Sequence, residues 1–226
     1  MSNLITYKIV KDQNDRLKTA ARTACNFWNH YIVPQSHIVI NVGLYTADDD
    51  TIAGSYKPEI SKEVTYGQVD FNTKYLDKYN AVEVAGTITH EIGHTLGFGW
   101  NKWTTLFRHT TGRFKPAAVT QLAALKKMYV ETNFDEETRF SHWDEAKHDR
   151  ELMTGFEDRA EFVLPVTIDV MALLGHKVAT RLKERTAIEV LMNEAARKAF
   201  TRHRLARQID REHFRATELW EKIAVA

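Results

Sequence analysis

The sequence predicts an α+β protein, on three observations. Three runs of β-branched and polar residues fall in the first third of the chain, "LITYKIV", "SHIVINVGLY" and "VTYGQVDFN". Helical spacing of apolar residues separates and follows them. From Pro116 onward helical patterns dominate, so strands come early and helices late.

Taken in order, Leu4–Val10 is the first strand candidate. The stretch "QNDRLKTAARTACNFWNHYIV" then places Leu17, Ala20, Ala21, Ala24, Phe27, Trp28 and Tyr31 on one helical face, and Pro34 ends it. Ser36–Tyr45 is the second strand, followed by Asp48, Asp49 and Asp50, a polar loop read as a solvated turn. Val64–Asn72 is the third strand. Tyr79–Leu96 is a helix that opens on the apolar, small-residue run "EVAGTIT" before His90, and Gly97 and Gly99 stop it. "KPAAVTQLAALKKMYV" begins with Pro116 at a first helical turn and is expected to continue as one helix. Ala179 to about Trp220 lacks proline and glycine and repeats Ile188, Leu191, Ala195, Leu205 and Ile209 at helical spacing, so one long helix or two shorter ones are expected there.

Composition narrows the function. The 226 residues, 43% hydrophobic and 27% charged, suffice for a full core. The net charge of +1 argues against bulk electrostatic capture of nucleic acid, and none is expected as a partner. No run reaches transmembrane length, and no secretory signal is visible at the N-terminus. Cys25 is the single cysteine, so neither an intrachain disulfide nor a cysteine zinc cluster is expected. The chain suits a reducing compartment, or export by a route the sequence does not announce.

"ITHEIGHTLGFGW" carries the chemistry. On a helix, His90 and His94 lie one turn apart on the same face and can grip one metal ion together. Glu91 then sits beside that ion, placed to take a proton from a water. Two histidines leave the coordination incomplete, because a catalytic zinc takes three protein ligands. His109, His142 and His148 are the candidates for the third, and their own surroundings separate them only slightly.

HExxHxxG, followed after a long insertion by "SHW" and then "ELMTG", resembles the leishmanolysin-type branch of the metzincin zinc peptidases. The similarity runs through "FKPAAVTQLAALKKMY" to "LPVTIDVMALLGHKV", roughly residues 36 to 178, and is strongest from Thr87 onward. It implies a metzincin-like zincin domain with a small sheet, an active-site helix and a mainly helical C-terminal part. It assigns the third ligand to His142, whose counterpart in that branch is displaced by an insertion. It also makes Met153 the methionine of the tight turn beneath the metal, a soft packing platform rather than a ligand. The chain departs from the family in its single cysteine, in showing neither signal nor propeptide, and in its basic tail. Cys25, on an apolar helical face, reads as a buried structural thiol.

The resemblance implies a zinc-dependent endopeptidase acting on a protein or peptide, with His90, His94 and His142 on Zn2+ and Glu91 as general base. The strand "TYGQVDF" is the expected edge over the cleft, offering backbone groups to an extended substrate. The rival reading is a catalytically silent protein of the same fold whose helical tail mediates assembly. Residues 1–178 are expected to form the catalytic domain and 179–226 a helical extension. From Lys177 the chain holds twelve Lys and Arg against seven Asp and Glu, +5 against −4 for the rest. Such a helix suits self-association or docking on a partner.

Overall fold

The computed structural model describes residues 3–10, 15–61, 63–134, 138–156 and 160–201. The strand β1 (Ile5–Ile9) leads into α1 (Asp15–Tyr31), a short β2 (Ile32–Val33) and β3 (His37–Tyr45). Next come β4 (Ala53–Ser55), β5 (Glu59–Ser61), β6 (Val64–Asn72), α2 (Thr73–Leu76) and α3 (Ala81–Thr95). Five of these strands make one mixed sheet in the order β1-β3-β6-β4, with β5 also on β6. The strands β1, β3 and β6 run parallel, whereas β4 and β5 are antiparallel to β6. The α+β class is therefore as the sequence predicts.

Strand alternation sets which face is covered. Ile38, Ile40 and Val42 of β3 are buried beside Thr65, Val69 and Phe71 of β6, with α1 and α3 against them. The seven α1 residues from Leu17 to Tyr31 singled out by spacing are all buried. Trp28 is fully buried, and its indole N–H donates to the Thr89 carbonyl at 2.9 Å, locking α1 onto α3. Asn29 closes the other contact of α1: it accepts from the Ile5 N–H and donates to the Ile5 carbonyl, satisfying the edge strand β1. Cys25 is buried on the same helix, and burial pushes its thiol up to about 12.

One expectation about this sheet is corrected. Thr65–Phe71 is not a free edge, because β6 is hydrogen-bonded to β3 on one side and to β4 and β5 on the other. The short antiparallel β4 takes that position. Strand periodicity alone does not reveal neighbours, and a three-residue strand containing Gly54 carries little periodic signal.

Beyond α3 the described chain is a series of short elements around an aromatic core. They are α4 (Asn101–Thr104), α5 (Pro116–Gln121), the 3₁₀ turn Ala123–Lys127, α6 (Glu145–His148), β7 (Phe162–Val163), α7 (Pro165–Asp169), α8 (Met171–Leu174), β8 (Lys177–Val178) and β9 (Thr186–Ala187). Phe98, Trp103, Phe107, Phe114 and Trp143 pack ring against ring at its centre. The single helix expected over Lys115–Val130 is broken: Leu122 is extended, with φ −140° and ψ 95°. That break lets Leu125 and Met128 both reach the core.

The tail is also corrected at its start. Residues 179–187 are not helical. Ala179 and Thr180 donate to the Tyr31 carbonyl, and Thr186–Ala187 pairs with Phe162–Val163. Residues 188–201 form the last described helix, α9. Its Ile188, Leu191 and Met192 join the same core cluster as the sheet, so the core has no break at residue 178. Leu205, Ile209 and Trp220 lie outside the described residues. No helix among the described residues is long and apolar enough to cross a membrane.

Candidate metal centre

The site is built on α3. Asn80 caps the helix with its side chain, and Glu83 returns the bond to the Asn80 N–H, fixing where the helix starts. Its last turns then carry His90, Glu91 and His94. Gly97, at φ 117°, turns the chain out of the helix, as the glycine pattern predicts. Gly99, at φ 80°, brings the neighbour of His142 close: a Cβ there would stand 2.7 Å from the Ser141 Cβ and 3.7 Å from His94 Nδ1. His142 follows Ser141. Its segment is held by backbone bonds from Glu131 N–H to the His142 carbonyl and from Trp143 N–H to the Met153 carbonyl.

The three Nε2 atoms converge. His94 to His90 is 3.0 Å, His94 to His142 is 3.1 Å, and His142 to His90 is 3.2 Å. Every Nδ1 meets an oxygen on the far side of its ring. His90 Nδ1–H donates to the Leu152 carbonyl at 2.6 Å and His94 Nδ1–H to the Phe98 carbonyl at 3.3 Å. His142 Nδ1–H donates to the Thr138 carbonyl at 2.9 Å, with the Ser141 hydroxyl also at 2.9 Å. A carbonyl can only accept, so these bonds place each neutral ring's proton on Nδ1 and leave three Nε2 lone pairs facing one another. Burial, and then His90 and His142, hold His94 well below the usual histidine range, against its taking a second proton. Three converging lone pairs repel unless a cation lies among them. Nitrogens sharing one tetrahedral ion at about 2.0–2.1 Å lie about 3.3 Å apart, close to the separations here. The three histidines could therefore hold a metal ion, and they are the group of that kind among the described residues.

Glu91 is buried on the same turn and is not among the three. Burial pushes its carboxyl up, while His90 and hydrogen bonds from the Ser55 hydroxyl and backbone N–H pull it back down. Met153 is fully buried, and its sulfur fills the space left by Gly93: a Cβ on that glycine would stand 2.6 Å from Sδ. The methionine thus packs on α3 between His90 and His94.

The other histidines go elsewhere. His109 is exposed, bonded to the Thr104 carbonyl and stacked on Phe140. His148 Nε2 accepts the Tyr129 N–H at 3.2 Å. No family profile matches the chain, and a search of curated proteins returns no match.

Several neighbours of the site were not singled out from sequence. Ser55 on β4 reaches Glu91, and no motif marks it. Thr138, Leu152 and Phe98 act through main-chain carbonyls, which a side-chain pattern does not report. Phe134 and Phe156 form an edge-on pair with centroids 5.0 Å apart, and both are exposed, 56% and 48%. Phe156 follows Gly155, where a Cβ would stand 3.7 Å from His142 Cγ. Phe134 also holds φ at 67°, unusual for a bulky side chain that burial does not reward.

Proposed function

We propose that this protein is a zinc-dependent endopeptidase of the metzincin type. The observation that carries the reading is the convergence of His90, His94 and His142 Nε2 atoms with a buried carboxylate, Glu91, on the intervening turn. Trihistidine nitrogen ligation suits zinc, and with three protein ligands one position stays open, as catalytic sites require. Bound zinc would supply a water acidic enough to ionise near neutrality and would polarise the scissile carbonyl.

The chain's own groups do the rest. Glu91 accepts the proton of the attacking water and passes it to the departing amine. Ser55 aims that carboxylate and favours its ionised form through two donated hydrogen bonds. Ser55 belongs to β4, the antiparallel strand at the sheet edge, whose alternate backbone groups face away from β6. An extended peptide adding there would lie beside the three histidines. The exposed pair Phe134 and Phe156, of which Phe156 follows Gly155 beside the His142 ring, offers an apolar surface to a substrate side chain.

The test is a metal titration together with digestion of a peptide library by wild type and Glu91→Gln. Zinc-dependent cleavage by wild type alone supports the reading. A wild type that binds zinc and cleaves nothing would sink it in favour of a metal-bearing binding protein.

A further inference from the structure

We infer that Glu151 is a positioning residue of the metal centre, a buried carboxylate that braces the turn whose carbonyls orient His90 and the His142 segment. This rests on the reading of His90, His94 and His142 as metal ligands, not on the reaction carried out there.

Glu151 is fully buried. Its Oε2 accepts the Met153 N–H at 2.7 Å. Its Oε1 accepts the Leu164 N–H at 3.1 Å and the Thr167 hydroxyl at 2.6 Å. The Thr167 oxygen in turn accepts the Trp143 indole N–H at 3.0 Å. One carboxylate therefore joins the turn at Met153, the start of α7 and the residue beside His142.

The braced atoms are those that aim the ligands. Leu152, between Glu151 and Met153, supplies the carbonyl that receives His90 Nδ1–H. Met153 supplies the carbonyl that receives the Trp143 N–H at 2.9 Å. If the turn swings, both carbonyls move, and with them the ring of His90 and the backbone that carries His142. Outer partners of this kind fix ring orientation and ligand basicity.

A space-filling role alone explains this residue poorly. Burying a carboxylate is costly, and an apolar side chain would fill the volume without that cost. What the carboxyl provides in its ionised form is acceptor capacity on both oxygens, facing donors from two separate segments. Glutamine has one acceptor oxygen, so its amide would leave at least one of those backbone N–H groups without a partner.

The test uses the full chain, with zinc affinity read by competition against a chromophoric chelator and with the visible absorption of the cobalt-substituted form. Glu151→Gln should weaken zinc binding about tenfold to a hundredfold and alter the cobalt bands. Thr167→Val, which keeps the volume and removes the link to Trp143, should shift both in the same direction by less. Asn72→Ala is the control: Asn72 is buried and bonded to the Ala47 and Thr51 carbonyls. Its loss should lower thermal stability while leaving affinity and spectrum unchanged.

Wild-type affinity and spectrum in Glu151→Gln, or in Thr167→Val if the first variant fails to fold, would overturn the inference. Equal weakening by Asn72→Ala would overturn it too, by reducing the effect to general destabilisation. A wild type that takes up neither metal would overturn the centre and this brace together. None of these measurements reads peptide cleavage, so failure of the peptidase reading shows separately.

Discussion

At the scale of single residues, metal content tells the proposed ligands from the other histidines. Wild type should bind zinc at about one equivalent. His142→Ala should lose it and His109→Ala should keep it, as metal analysis after dialysis will show. Glu91→Gln should retain metal and fold while kcat/KM falls by roughly a hundredfold or more, because only proton transfer is removed. Glu151 adds a pH dependence. Burial raises its carboxyl from 4.5 to about 7, against the pull of Thr167, Met153 and Leu164. The folded state therefore holds this proton more tightly than the unfolded state does. Its stabilisation is complete below pH 4.5 and is lost as pH rises towards 7, about 3 kcal/mol in all. The stability of metal-free wild type minus that of Glu151→Gln, measured by denaturant titration across this window, should fall as pH rises. A flat difference would mean the carboxyl is ionised throughout. The pair His90 and His94 was legible because helical spacing alone places it. His142 was not legible from its own neighbourhood, since 47 residues separate it from His94 and no helical or strand period links the two. Only the order of motifs singled it out.

At the scale of elements, period and packing explain what sequence reading reached. The long strands β3 and β6 and the helices α1 and α3 announced themselves because each buries one face along its whole length. The three-residue β4 did not, and the resulting edge was assigned to the wrong strand. Helix continuation after Pro116 also failed, because burial of Leu125 and Met128 outweighs the helical propensity of "LAALKK". Where α3 meets the turn at Met153, the fit is a matter of one missing side chain. Gly93→Ala should cost about 1–3 kcal/mol, since the sulfur must move within a filled core. Combining it with Met153→Ala should cost less than the two changes separately, a coupling that a double-mutant cycle in thermal unfolding will reveal.

At the scale of the whole molecule, α9 belongs to the body. Ile188, Leu191, Met192 and Ala195 are buried, and Gly86 on α3 approaches Ile188: a Cβ on that glycine would stand 3.9 Å from the Ile188 Cδ1. Leu191→Ala should therefore cost about 2–5 kcal/mol. Phe200, 69% exposed, should tolerate serine within about 0.5 kcal/mol in the isolated protein. Ending the chain at residue 178 should strip cover from α3 and lower the unfolding temperature markedly, whereas ending it at residue 201 should preserve folding and metal uptake. Calorimetry on the two truncations will tell these apart. The tail's charge and helical spacing were visible in sequence, but what its apolar face covers was not, because an amphipathic helix looks the same whether its partner is its own domain or another.

Each of the three imidazoles leans on a main-chain carbonyl, Leu152 for His90, Phe98 for His94 and Thr138 for His142. A carbonyl feeds less charge through an imidazole than a carboxylate would, so through these three bonds an ion at this centre would keep more of its pull on electrons. No substitution at Leu152, Phe98 or Thr138 removes the accepting oxygen itself, since every residue type carries the same one, and only a change that moves the backbone, such as loss of the Glu151 brace, withdraws it. The side chains at those three positions can then vary while the oxygens behind the imidazoles stay the same.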